Sequence, residues 1–116
     1  PTYVIATRDD HIAPWRSVYA MTQILPGPVI FRLANSGHIA GIINPPGSKK
    51  AEYFANDQNP PDPEEWLRAA TTRSGSWWPD WYEWLGARSG ERVAPPGLPK
   101  KYSSLGPAPG TYVLEK

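Results

Sequence analysis

The sequence predicts an α/β fold. Its front half is a strand–helix–strand unit with parallel strands; its back half is a tryptophan-rich helical region and a proline-rich tail. Three observations predict this. Thr2–Thr7 and Val29–Ala34 are short apolar runs without clear alternation, the composition of strands covered on both faces. Between them Trp15, Val18, Tyr19, Thr22 and Leu25 recur at helical spacing. The 15 prolines, against a usual share of about 5%, crowd mostly after Asn44, where regular structure must thin out.

At 116 residues the chain is at most one small domain. A chain of this size buries about two-thirds of its surface. The formal charge of +1 argues against a nucleic-acid partner. No apolar run approaches the ~20 residues of a membrane span, and no leader signature opens the chain. Pro1 stands directly ahead of a strand, so an upstream portion is expected. With no cysteine, these residues form no disulfide and no thiolate metal site.

The first strand ends in Asp9-Asp10-His11, and Pro14 suits the first turn of the following helix. That helix is expected to run to about Leu25, where Pro26-Gly27-Pro28 stops it. The second strand follows, in parallel through a right-handed crossover. After His38, the run Ile39-Ala40-Gly41-Ile42-Ile43 fits a turn of helix or an irregular packed segment. Residues 51–55 read as a short edge strand. Asp62-Pro63-Glu64-Glu65 is a helix start, its early acids favourable to the helix dipole, and that helix should end near Gly75. Pro79 starts a further helix, in which Trp77, Trp81, Trp84 and Leu85 would form one broad apolar face. Residues 92–110 are expected to lie extended over the surface, and residues 111–114 to form a terminal strand or a docked tail. Residues 1–50 would form the strand–helix–strand part and 51–116 the helical extension and tail.

Asp10 and His38 stand out chemically. Each follows a strand of the parallel pair, so the two strand ends would bring them together although 28 positions separate them. An imidazole oriented by a carboxylate is two-thirds of a nucleophilic triad, and acid before histidine is the chain order at the end of an α/β-hydrolase domain. Gly37 would let backbone or substrate come close to His38. From the spacing alone, a second reading stands beside this one: Asp10 caps the Pro14 helix and His38 is an ordinary loop residue. His11 diverges from Asp10 and fits lining or packing better than a direct role. A metal site of Asp10, His11 and His38 lacks any short-spaced ligand pair. Ser36 is too close along the chain to His38 to be its nucleophile and reads as a turn residue. Asp9 and Asp10, being adjacent, point apart and make no carboxylate dyad. The tryptophans at helical spacing read first as core, with ligand stacking as the alternative.

Four segments go beyond pattern. Thr7-Arg8-Asp9-Asp10-His11-Ile12-Ala13-Pro14-Trp15 resembles the acid-bearing motif of polyhydroxyalkanoate synthases. Asn35-Ser36-Gly37-His38-Ile39-Ala40-Gly41-Ile42-Ile43-Asn44-Pro45-Pro46 is similar to their histidine motif. Gly75-Ser76-Trp77-Trp78-Pro79-Asp80-Trp81 resembles their tryptophan-rich segment, and Ala108-Pro109-Gly110-Thr111-Tyr112-Val113 their C-terminus.

The resemblance implies the C-terminal portion of an α/β-hydrolase-type catalytic domain: its last two parallel strands with their helices, then the Trp-rich region and tail. It implies an acyltransferase of polyhydroxyalkanoate biosynthesis that polymerises (R)-3-hydroxyacyl-CoA and releases CoA, without a cofactor or metal. The variants of the motifs resemble the class using short-chain monomers. His38 matches the histidine that activates a cysteine thiol. Asp10 matches the aspartate that either orients that histidine or activates the substrate 3-hydroxyl. Cytoplasmic localisation, the polyester granule surface as a partner and a homodimer of the parent belong to the same expectation. The family's cysteine and oxyanion donors lie in the missing N-terminal part of the domain, so the chain is expected to be inactive alone. It is also expected to fold poorly alone, because its two apolar strands call for neighbours. The alternatives are a non-catalytic interaction module, docking through its tryptophans and tail, and part of an esterase.

Overall fold

A computed structural model describes residues 1–97, 101 and 104–115. Four strands form one sheet in the order β1 (Thr2–Thr7), β2 (Val29–Ala34), β3 (Glu52–Asn56), β4 (Thr71–Ser74). β1 and β2 are parallel, with Val4 opposite Phe31 and Ala6 opposite Leu33. β3 and β4 each join antiparallel. The mixed sheet has helices on both faces, an α/β arrangement, and extends the expected parallel pair by two strands.

Side-chain alternation divides the core in two. Val4, Ala6, Phe31 and Leu33 face one way, against Trp15, Tyr19 and Trp66. Here Phe31 meets Trp66 edge-on with ring centres 4.8 Å apart and Tyr19 at 5.0 Å, the geometry aromatic quadrupoles favour. Ala34, Tyr53 and Ala55 face the other way and pack with Trp77, while Tyr3 and Ile5 join from β1.

The segment expected as one helix is two, α1 (Trp15–Tyr19) and α2 (Met21–Ile24), parted at Ala20. Tertiary bonds pull on the break: Tyr19 donates its hydroxyl to the Pro60 carbonyl at 2.7 Å, and Gln23 donates to the Asn59 carbonyl at 3.0 Å. The expected stripe is still the inward side, with Trp15 and Tyr19 buried. α3 (Pro63–Ala69) starts as the sequence predicts, with the Asp62 carboxylate capping the Glu64 N–H at 2.9 Å. It ends well before Gly75, because Thr71–Ser74 leaves it as strand β4. Residues 51–55 were expected at an edge, but β3 is interior, since β4 covers its outer side. β2 likewise has neighbours on both sides, against the expectation of an unsupported strand; β1 has no partner on its outer side among the described residues.

α4 (Trp78–Gly86) buries none of its own residues fully. Trp77, just ahead of it, is the buried anchor, Trp81 and Trp84 are half-buried and Leu85 is exposed, so the expected broad face narrows to one end. The described residues from Ala87 to Thr111 are exposed and form no helix or strand. Part of the expected extended stretch, residues 98–100 and 102–103, lies outside the described residues. Tyr112–Leu114 forms a 3-10 turn instead of a strand or docked tail, and its side chains are exposed. No helix among the described residues is long and apolar enough to cross a membrane.

Candidate functional site

The parallel register ends at Thr7 opposite Ala34. Beyond it the two chains stay tied, Arg8 N–H donating to the Ala34 carbonyl at 2.8 Å and Asp9 N–H to the Ser36 carbonyl at 3.1 Å. Ser36 adopts a left-handed conformation, φ 74°, which bends the chain toward β1. The structure therefore brings Asp10 and His38 together, with His38 Nδ1 2.7 Å from Asp10 Oδ2.

The two readings of Asp10 turn out to be compatible, because its oxygens divide. Oδ1 accepts the backbone N–H groups of Ile12 and Ala13, both at 2.8 Å, and so shapes the turn ahead of Pro14. Oδ2 faces His38 and accepts from the Thr7 hydroxyl at a long 3.4 Å. The Ala13 N–H, then His38 and the Ile12 N–H, stabilise the charged form and lower the Asp10 pKa to about 2, against opposing desolvation. Its side chain is 7% exposed and that of His38 46%. An ionised Asp10 keeps the proton on Nδ1 and leaves Nε2 as the basic nitrogen. Among the described residues nothing hydrogen-bonds Nε2.

His11 and Asp9 are exposed and stand outside this pair, and among the described residues no three metal-ligating side chains converge. The tight backbone approach lies at Gly41 rather than at Gly37. A Cβ on Gly37 would meet only the Asp9 carbonyl at 3.7 Å, an ordinary contact. A Cβ on Gly41 would meet Thr7 Cγ2 at 2.3 Å and the Asn35 carbonyl at 2.7 Å. Gly41 is thus the glycine that lets the turn after His38 settle on the end of β1.

The turn after His38 is gripped from the start of α4 and the two residues ahead of it. Trp77 Nε1 donates to the Gly41 carbonyl and Trp78 Nε1 to the Ile42 carbonyl, both at 3.0 Å. Ser76 donates its hydroxyl to the Asn44 carbonyl and accepts from the Trp78 N–H at 3.0 Å. Asp80 then fixes α4 to three strands: its carboxylate accepts from Tyr3 on β1 at 2.9 Å, Arg32 on β2 at 3.0 Å and Arg73 on β4 at 3.1 Å. Burial, with Asp80 beside it, pushes the Tyr3 hydroxyl far above the ordinary phenol range. Helical spacing points the tryptophans to core or ligand and not to this bracing; its one visible signal is the indole pair directly before the helix-starting Pro79.

Across its full length the chain is 46% identical to the poly(3-hydroxyalkanoate) polymerase subunit PhaC of Cupriavidus necator. It is 50% identical over 99% of its length to poly(3-hydroxyalkanoate) polymerase 2 of Ectopseudomonas oleovorans, and 48% identical over all of it to the polymerase of Methylorubrum extorquens. By sequence the chain matches the C-terminal segment of poly(3-hydroxyalkanoate) polymerases. It spans about a fifth of the length of these polymerases, 20%, 21% and 20% respectively. No protein-family model matches it.

Proposed function

We propose that this chain is the C-terminal part of a polymerase that joins (R)-3-hydroxyacyl units from their CoA thioesters. In this reading it carries the acid and base, Asp10 and His38, and a cysteine outside these residues supplies the nucleophile. The observation that carries the reading is the 2.7 Å contact of His38 Nδ1 with Asp10, in a side chain 46% exposed, within a polymerase-like sequence.

The proton route follows. His38 Nε2 takes the proton of the thiol, and the thiolate attacks the thioester carbonyl. The tetrahedral intermediate collapses with cleavage of the bond to the CoA sulfur, which leaves as CoA with the proton returned by the imidazolium. An acyl group then sits on the enzyme's sulfur. The 3-hydroxyl of another unit then gives its proton to Nε2 and attacks the enzyme-bound acyl carbonyl; the ester forms, the bond to the enzyme's sulfur breaks, and the imidazolium returns the proton to that sulfur. The engagement of both Asp10 oxygens, and its low exposure, support orientation of His38 rather than direct activation of the hydroxyl.

Residues 1–50 hold the acid and base in this proposal, and 51–116 the extension and tail. Ile39 and Ile43 beside the site are 68% and 65% exposed, which suits an apolar polyester at a cytoplasmic granule surface. The test is CoA release from (R)-3-hydroxyacyl-CoA of graded chain length. The full-length parent should release CoA, fastest with short-chain monomers, and lose turnover on thiol alkylation. The 116-residue chain alone should release none; robust release by it would contradict the fragment reading, and turnover surviving alkylation would favour an esterase-type serine.

A further inference from the structure

The grip on the turn after His38 assigns a role that the acid–base pair alone does not explain. His38 opens a turn closed by its own backbone: Gly41 N–H donates to the Gly37 carbonyl at 3.0 Å, spanning His38, and Ile43 N–H to the Ile39 carbonyl at 2.8 Å. The turn's outward carbonyls, Gly41, Ile42 and Asn44, are taken by the Trp77 indole, the Trp78 indole and the Ser76 hydroxyl. Trp77 and Ser76 are themselves buried, both 7% exposed, so these bonds lie where water competes little. On the opposite side Gly41 rests against Thr7, the residue that ends β1 three positions before Asp10. The turn is clamped between the β1 end that leads to the acid and the tryptophan corner that Asp80 ties to the sheet.

We infer that Ser76, Trp77 and Trp78 are positioning residues for His38: they hold the Gly41–Asn44 turn by its carbonyls so that the imidazole meets Asp10 and keeps Nε2 aimed at the reacting thiol. The inference rests on the acid–base reading above and deepens it. A small displacement of a catalytic base costs rate rather than substrate affinity, so the effect falls on kcat.

The test uses the full-length parent polymerase with Trp77→Phe, Trp78→Phe and Ser76→Ala, each of which removes one donor to the turn. Trp81→Phe is the control; its ring packs on Trp77 at 6.1 Å and beside Ile42, but among the described residues it gives the turn no hydrogen bond. His38→Ala is the reference. Steady-state kinetics are paired with the downfield proton NMR signal of the His38 Nδ1–H···Asp10 bond, assigned by its loss in His38→Ala. The donor variants are expected to lose about 10–100-fold in kcat with KM held, and to lose or broaden the downfield signal, while Trp81→Phe keeps both. If Trp77→Phe does not fold, Ser76→Ala and Trp78→Phe decide. Wild-type kcat and an intact signal in the donor variants, with His38→Ala inactive, would overturn the positioning role and leave the acid–base reading standing. An equal loss in Trp81→Phe would assign the effect to ring packing and overturn it too. Turnover retained in His38→Ala would overturn the acid–base reading itself.

Discussion

His38 Nδ1 lies 2.7 Å from Asp10 Oδ2, while the other Asp10 oxygen accepts two backbone N–H groups of the turn that leads into α1. One carboxylate thus shapes the loop and holds the imidazole. In the parent, Asp10→Asn is expected to cost about 10²–10⁴-fold in turnover. Single-turnover CoA release and chain elongation should fall together; loss of elongation alone would assign Asp10 to the substrate hydroxyl.

The depressed Asp10 pKa sets a pH dependence. Its folded value, about 2, lies below the ordinary 3.8, so its contribution to stability is present above 3.8 and is lost as pH falls toward about 2. Urea unfolding of wild type and Asp10→Asn should show a constant difference at neutral pH that shrinks through this acid window. A difference that vanishes already at pH well above 3.8 would contradict the assigned hydrogen bonds.

Gly41→Ala is expected to destabilise by about 1–3 kcal/mol, because its Cβ would press on Thr7 and the Asn35 backbone. Gly37→Ala, with an ordinary 3.7 Å contact, should be nearly neutral in thermal unfolding. The reverse order would contradict the close approach described here.

Arg32 is buried, 5% exposed at its side chain, between Asp80 at 14% and Asp57 at 77%. Asp80→Ala removes the less exposed of the two acids on Arg32, and the acceptor of the Tyr3 hydroxyl with it, and should cost about 3 kcal/mol. Asp57→Ala removes an exposed partner and should cost less than about 1 kcal/mol. Chemical denaturation of the two variants reads the contrast; equal costs would mean that Asp80 does not anchor α4.

What was legible in the sequence follows from what each segment must bury. β1 and β2 are apolar runs because both sheet faces are covered, and their parallel pairing puts Asp10 and His38 at adjacent ends. β4 was not legible: Thr71-Thr72-Arg73-Ser74 is polar and exposed, an edge strand held by pairing to β3 and by the Arg73 bond to Asp80. The break at Ala20 comes from bonds to Pro60 and Asn59, some 40 positions away, which no local pattern carries. The tryptophan corner was visible as an apolar stripe, but its hold on the turn depends on indole N–H groups meeting carbonyls 36 positions earlier. Gly37 drew attention by adjacency to His38; only the packing distinguishes it from Gly41.

The most direct test of the central claim is single-turnover CoA release by the full-length parent with His38→Ala. The acid–base role predicts a loss of about 10²–10⁴-fold in a variant that remains folded. Near-wild-type release would contradict it.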